Sequence, residues 1–207
     1  AGEMINCYNE GNISHISAGY LKGACIAGIT PYQNAPMSGC VNKGNIILKG
    51  NAKARVGGIH GGTGNIKNCH NEGNVAIQGG ASASVLGGVA GFHSQGHKIT
   101  GTTVECKVTA YIPVTAVGGL IGNMGNATAT TGEDCVINCA ISGGDATCAG
   151  MVVGKFNGHE EEAKRMKIEL GPLEVSGSIN GTPANSSNLH GTVNFDSSYH
   201  SINATIK

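Results

Sequence analysis

The residues best suited to chemistry in this chain are His159-Glu160 and the imidazole pair His93 and His97. The first pair invites comparison with the His-Glu-x-x-His helix of zinc proteases, where two histidines four apart hold the metal and the glutamate acts as base. Here the residue four after His159 is Ala163, so the second ligand is missing. The stretch 158–167 concentrates charge and reads as a solvated surface run, one helical turn or two. His93-Ser-Gln-Gly-His97 has no cysteine or carboxylate within six residues of either histidine. A metal site needs three or four converging ligands with a second shell, so these two read as exposed turn residues. His60 and His70 fall at strand or corner positions and read as packed or solvated.

Gly57-Gly58 and Gly87-Gly88 lack the strand-loop-helix context and the lysine of a phosphate-binding loop. Paired carboxylates for polysaccharide cleavage must be placed by the fold. The candidates are Glu10, Glu72, Glu105, Glu133, Asp134 and Asp145. The basic residues that lyase chemistry also needs, Lys43, Lys53, Arg55 and Lys67, are scattered. There is no Trp for a sugar platform, which leaves Tyr8, Tyr20, Tyr32 and Tyr111 as aromatic contacts. The sequence therefore names no catalytic residue, no metal ligand and no cofactor, and leaves any binding site unassigned.

The elements that must position such residues follow from an internal repeat. Met4-Ile-Asn-Cys-Tyr-Asn-Glu-Gly-Asn-Ile13 recurs as Met37-Ser-Gly-Cys-Val-Asn-Lys-Gly-Asn-Ile46 and as Ile66-Lys-Asn-Cys-His-Asn-Glu-Gly-Asn-Val75. A second phrase follows each time, as in Val56-Gly-Gly-Ile-His-Gly61 and Leu86-Gly-Gly-Val-Ala-Gly91. Its glycine returns at Gly28, Gly58, Gly88, Gly119 and Gly150, in steps of 30, 30, 31 and 31. The phrases are short, bounded by glycine and rich in Ile and Val, with no helical spacing over ten residues, so they are strands. Strands at equivalent positions pair in parallel with the coil above, and parallel crossovers are right-handed. The expected fold is all-β: a right-handed parallel β-helix of about six coils of ~30 residues.

Aligning the phrases predicts columns inside the rod. Cys7, Cys40, Cys69, Cys106 and Cys139 make one, as inward free thiols that behave as small hydrophobes. Cys25, Cys135 and Cys148 lie off it, with room for one bridge. Three residues before the column stand Met4, Met37, Ile66, Thr103 and Val136, and six after it Ile13, Ile46, Val75 and Ile112. Asn9, Asn42 and Asn71 are placed to form an amide ladder. Gly11, Gly44 and Gly73 mark a corner that calls for positive φ. Glu10, Lys43 and Glu72 alternate in sign on the outward face, which favours this stacking.

Residues 1–170 are read as repeat coils and 171–207 as the last coil with a C-terminal cap, since a solenoid end needs covering. The chain opens Ala1-Gly-Glu with no cap and no initiator Met, which implies that an upstream part was removed. Thirteen basic residues balance thirteen acidic ones, so there is no electrostatic footprint for nucleic acid or an anionic membrane. No apolar run approaches the ~20 residues that span a bilayer.

The alternation of Ile/Val-x-Asn-Cys-x-Asn-x-Gly-Asn-Ile with Val-Gly-Gly-Ile-x-Gly resembles the Glug-type repeats of bacterial secreted and surface proteins. These occur in gut Bacteroidetes proteins and in the non-catalytic regions of immunoglobulin A-cleaving metallopeptidases. The match runs from about Met4 to Gly154. The resemblance implies a β-helix displayed outside a bacterial cell. The expected function is a non-catalytic structural or interaction module: a spacer, adhesin stalk or scaffold. Its bare first coil would meet the upstream part of the polypeptide or another copy, and the latter contact could propagate into a filament. A polysaccharide depolymerase or lyase with a groove along the β-helix is the alternative. A glycan- or host-protein-binding adhesin using loops 30–36, 127–134 and 158–167 is the third reading.

Overall fold

The computed structural model describes residues 2–31, 36–62, 64–79, 84–93, 96–125, 131–143, 148–157, 168–194 and 200–207, with the backbone alone for 17–22 and 51–52. Every regular element among them is a strand. The first coil holds β1 (Met4–Ile5), β2 (Tyr8–Asn9) and β3 (Ile13–Ala27); the second β4 (Met37–Ser38), β5 (Val41–Asn42) and β6 (Ile46–Gly57). The third holds β7 (Ile66–Lys67), β8 (His70–Asn71), β9 (Val75–Ile77), β10 (Val85–Gly87) and β11 (Ala90–His93). The fourth follows with β12 (Ile99–Thr100), β13 (Thr103–Ala110), β14 (Ala116–Gly118) and β15 (Ile121–Met124). Next come β16 (Cys135–Ser142), β17 (Ala149–Gly150) and β18 (Val153–Phe156), then β19 (Ile168–Ile179), β20 (Thr182–Pro183), β21 (His190–Val193) and β22 (His200–Ile206).

Strands β1, β4, β7 and β12 stack as one parallel sheet, β11, β15, β18 and β21 as a second, and the others join a large third. Apart from the β19–β20 hairpin, the strand pairings among the described residues are parallel, coil upon coil. The chain is a β-solenoid of about five turns, slightly fewer than the repeat count suggested. Strand β19 runs unbroken through the 170/171 boundary and stacks on β16 over Leu173–Ile179. Strand β22 then stacks on β19, and the Lys207 ammonium pairs with the Glu174 carboxylate.

One corner explains why cysteine recurs. Asn6, Gly39, Asn68, Gly101 and Asp134 all have positive φ, between 51° and 61°, and the flanking registers stack them directly above one another. Asn, Gly and Asp are the residues that tolerate this left-handed turn. The next residue in each coil points inward and donates to the carbonyl two residues back. Cys7 Sγ reaches Ile5 O, Cys40 Sγ reaches Ser38 O, Cys69 Sγ reaches Lys67 O and Cys135 Sγ reaches Glu133 O, at 3.9, 3.5, 3.4 and 3.7 Å. In the fourth coil the hydroxyl of Thr102 makes the same bond to Thr100 O at 3.1 Å.

The thiol row is therefore Cys7, Cys40, Cys69, Thr102 and Cys135, which corrects the alignment on Cys106 and Cys139. Cys106 and Cys139 stack on each other in a different row, above Gly73 and below Gly177. Reading Cys106 as the equivalent of Cys69 shifts the fourth coil by four residues, and other errors follow from it. The inward row from Met4, Met37 and Ile66 continues to Ile99, not to Thr103 and Val136. The row from Ile13, Ile46 and Val75 continues to Val108 and Ile141, not to Ile112. All eight cysteines are free thiols.

Two glycine assignments also change. Gly11, Gly44 and Gly73 do not have positive φ. They are glycine because successive coils nearly touch: a Cβ on Gly44 would lie 2.0 Å from Gly11 O, and one on Gly73 2.0 Å from Gly44 O. In the second phrase Gly28, Gly58, Gly88 and Gly119 share a row, but Gly150 pairs with Gly118, and Met151 takes the place beyond Gly119. This row packs on the amide ladder. A Cβ on Gly28 would meet the Asn42 amide at 2.3 Å, and one on Gly58 the Asn71 amide at 2.3 Å. Where the ladder gives way to Val104 and Ile137, Gly88 and Gly119 face those methyl groups instead.

Candidate functional site

Three places on the solenoid gather polar groups that could meet a partner. The first is the outward face of the Asn-x-Gly-Asn phrase. Register carries Glu10, Lys43, Glu72 and Glu105 onto one row, with Tyr8 and His70 on the row beside it. Lys43 Nζ lies 3.5 Å from Glu72 Oε1 and 5.8 Å from the centre of the Tyr8 ring. A hydrogen bond with the Tyr8 hydroxyl, and then the Glu72 charge, hold the Lys43 ammonium above its ordinary range. Sign alternation ends at the fourth coil, where Glu105 stacks on Glu72 as a like charge. His70 Nε2 stands between them, 3.6 Å from Glu72 Oε1 and 3.9 Å from Glu105 Oε2. These side chains are largely exposed, so solvent screening leaves each pair worth little. Of the other carboxylates considered, Glu133 and Asp134 sit together at the corner beneath Cys135, away from this row, and Asp145 lies outside the described residues.

The second place is a cleft of about 340 Å³. Lys53 and Arg55 of β6 form one wall, and Phe92, Asn123 and Asn157 the other. The Arg55 guanidinium lies 4.2 Å from the centre of the Phe92 ring, a cation–π contact. Asn123 Oδ1 is buried without a hydrogen-bond partner, while Asn157 Oδ1 accepts from Asn194 Nδ2 at 2.8 Å. The cleft thus offers a bidentate cation beside an aromatic face. Sequence reading had treated Lys53 and Arg55 as scattered. They lie two apart on one strand, β6, and folding adds the other wall as β11 carries Phe92 to the Arg55 guanidinium.

The third place is the C-terminal end, where His190 of β21 and His200 of β22 meet with their Nε2 atoms 3.4 Å apart. Burial, and then the neighbouring His190, hold the His200 imidazole below its ordinary pKa.

His93 and His60 are packed inside the solenoid. His93 is wholly buried, in contrast to the exposed turn expected, and its Nε2–H donates to His97 O at 2.8 Å. Burial pushes its pKa down to about 4. His60, also buried, accepts the Gly62 N–H at Nδ1. The whole of loop 158–167, His159 and Glu160 included, lies outside the described residues, as do 32–35 of loop 30–36 and 127–130 of loop 127–134. The last Asn of the repeated phrase, Asn12, Asn45 and Asn74, forms a second, outward ladder. Asn12 Oδ1 accepts from the Asn45 N–H at 2.9 Å, Asn45 Oδ1 from the Asn74 N–H at 3.1 Å, and Asn74 Oδ1 from the Lys107 N–H at 2.8 Å.

Among the described residues no group of three or more His, Cys, Asp or Glu is placed to hold a metal ion, and no helix is long and apolar enough to cross a membrane. Comparison with protein-family models, curated proteins and solved structures finds no match.

Proposed function

We propose that the chain is a non-catalytic structural and interaction module: a solenoid rod of a secreted or cell-surface bacterial protein, serving as spacer, adhesin stalk or scaffold. The bacterial and extracellular setting rests on the resemblance to Glug-type repeats. The observation that carries the structural reading is the state of the first coil. Met4, Cys7, Asn9, Ile13 and His15 are only partly covered, whereas Met37, Cys40, Asn42, Ile46 and Leu48, one coil above, are at most 1% exposed. On the outward face of the first coil, in register with Ser38, Val41 and Lys49, Ile5, Tyr8 and Ile16 are 58%, 54% and 73% exposed, three of the five exposed large hydrophobics among the described residues. An open parallel edge with uncovered inward side chains recruits another strand-bearing surface.

The occupant is another coil: the end of a second rod, or a coil of the same polypeptide. Electron microscopy of the purified chain tests this. End-to-end pairs or filaments are expected if the occupant is a second rod, and isolated short rods at all concentrations would rule that occupant out and leave a coil of the same polypeptide. The cleft around Arg55 supplies a separate surface for a glycan or host-protein partner bearing a carboxylate or sulfate, since a stacked guanidinium matches such groups.

The polysaccharide depolymerase or lyase reading has one observation in its favour, the approach of Glu72 and Glu105 to His70. It predicts turnover of acidic or neutral polysaccharides that Glu105→Gln abolishes. Absence of turnover across such a panel removes it.

A further inference from the structure

We propose that His190 and His200 form a two-imidazole site for a divalent transition-metal ion of the zinc, nickel and copper class, closing the C-terminal end of the solenoid. His190 stacks on Val153 at the end of an inward row, and His200 stacks on Ile168 at the start of β22. Both rings lie against the buried Phe156, with centroids 5.9 and 4.8 Å from its own. Their centroids are 4.9 Å apart and their Nε2 atoms only 3.4 Å apart, so the rings lean together at their Nε2 edges.

The tautomer of His190 is fixed by a carbonyl. Its Nδ1 lies 2.8 Å from Gly191 O, and since a carbonyl only accepts, Nδ1 carries the proton. The Nε2 lone pair of His190 therefore faces His200. Metal-ligating histidines are oriented in this way, with the far ring nitrogen donating to a carbonyl or carboxylate. The distance agrees as well. Two imidazole nitrogens bound to one tetrahedral ion at ~2.0–2.1 Å lie roughly 3.3–3.4 Å from each other. Without metal the same contact is a long hydrogen bond from His200 Nε2–H to the His190 lone pair. Imidazole suits zinc, copper and nickel, and not calcium or magnesium.

Two protein ligands fall short of the three or four that hold a resident metal, so water fills the remaining positions, the bound ion exchanges and a chelator removes it. Binding ties β22 to β21, and it stands whether or not the first coil docks a partner. Because only the folded chain brings the two rings together, metal raises stability with its free concentration.

The test uses the full chain, stripped with chelator and titrated with Zn²⁺ or Ni²⁺ under calorimetry and thermal unfolding. One ion per chain is expected, with a rise in Tm that chelator reverses. His190→Gln and His200→Gln each weaken binding by more than the ~10-fold that losing a ligand's outer hydrogen-bond partner costs, and His97→Gln leaves it unchanged. Should a variant fail to fold, the wild-type chain still decides: Ni²⁺ must broaden the ring signals of two histidines only. Co²⁺ must bind without thiolate charge-transfer absorption, since the chain also has eight free thiols. Binding carried by cysteine, broadening of other histidines, or no binding overturns the assignment.

Discussion

Asn42 Nδ2 donates to Asn71 Oδ1 in the coil above at 2.7 Å, and both residues are wholly buried. The same nitrogen also donates to Gly44 O at 3.0 Å, and Asn42 Oδ1 accepts from Asn9 Nδ2 at 2.6 Å. A side chain with almost no unmet hydrogen-bonding capacity is tolerated in an apolar interior, and one with a missing partner is not. Asn42→Ala strands the Asn71 acceptor and is expected to destabilise the chain by about 2–4 kcal/mol, at ~1–3 kcal/mol per buried unmet group. Chemical denaturation checks this, and Asn12→Ala on the exposed ladder should cost far less.

Gly58→Ala tests the other half of the same contact. Its Cβ would fall 2.2 Å from Gly88 O and 2.3 Å from Asn71 Nδ2, and neither the backbone nor the bonded amide can retreat. The expected loss is at or beyond the upper end of the ~1–3 kcal/mol typical of overpacking. Gly181→Ala, which meets nothing within 4 Å, tests the cost of positive φ (81°) alone.

The period of thirty residues was legible because glycine at the close approaches admits no substitute, so Gly28, Gly58, Gly88 and Gly119 keep their places. The thiol row was harder to follow, because a hydroxyl performs the same corner bond and Thr102 replaces cysteine without disturbing the turn. Cys106 then offered a false equivalent. The residue before the row gave the better signal: Asn6, Gly39, Asn68 and Gly101 each precede the inward Cys or Thr. The Arg55–Phe92 cleft and the His190–His200 pair were not legible at all, since each joins residues from different coils through turns whose path no local pattern dictates.

Acid should weaken the fold through His93. Its folded pKa of about 4 lies below the ordinary value of 6.5, so the unfolded chain binds the extra proton. This contribution to stability is fully present above pH 6.5 and is lost as pH falls toward 4, with a slope of up to about 1.4 kcal/mol per pH unit. Denaturant midpoints measured across that range check it, and His93→Gln should flatten the slope.

Alkali should act through the thiols. Burial, the largest cause, pushes Cys69 up to about 12 and Cys135 up to about 11 from an ordinary 9.0. For Cys139 a hydrogen bond with Cys106, and then burial, act in the same direction. Raised thiol values favour the protonated native state, so stability is constant below pH 9 and falls as pH rises toward these values. Alkylation at pH 8 followed by mass spectrometry should leave Cys69, Cys135 and Cys139 unmodified until the chain is unfolded.

The open first coil is tested most directly by sedimentation equilibrium of the chain alone, beside Ile16→Lys, which places a charge on its most exposed apolar residue. The expected result is concentration-dependent association of the wild-type chain that the lysine variant loses while keeping its Tm. A wild-type chain that stays monomeric at every concentration, or association indifferent to Ile16→Lys, would contradict the reading of the first coil as a docking surface for a second copy.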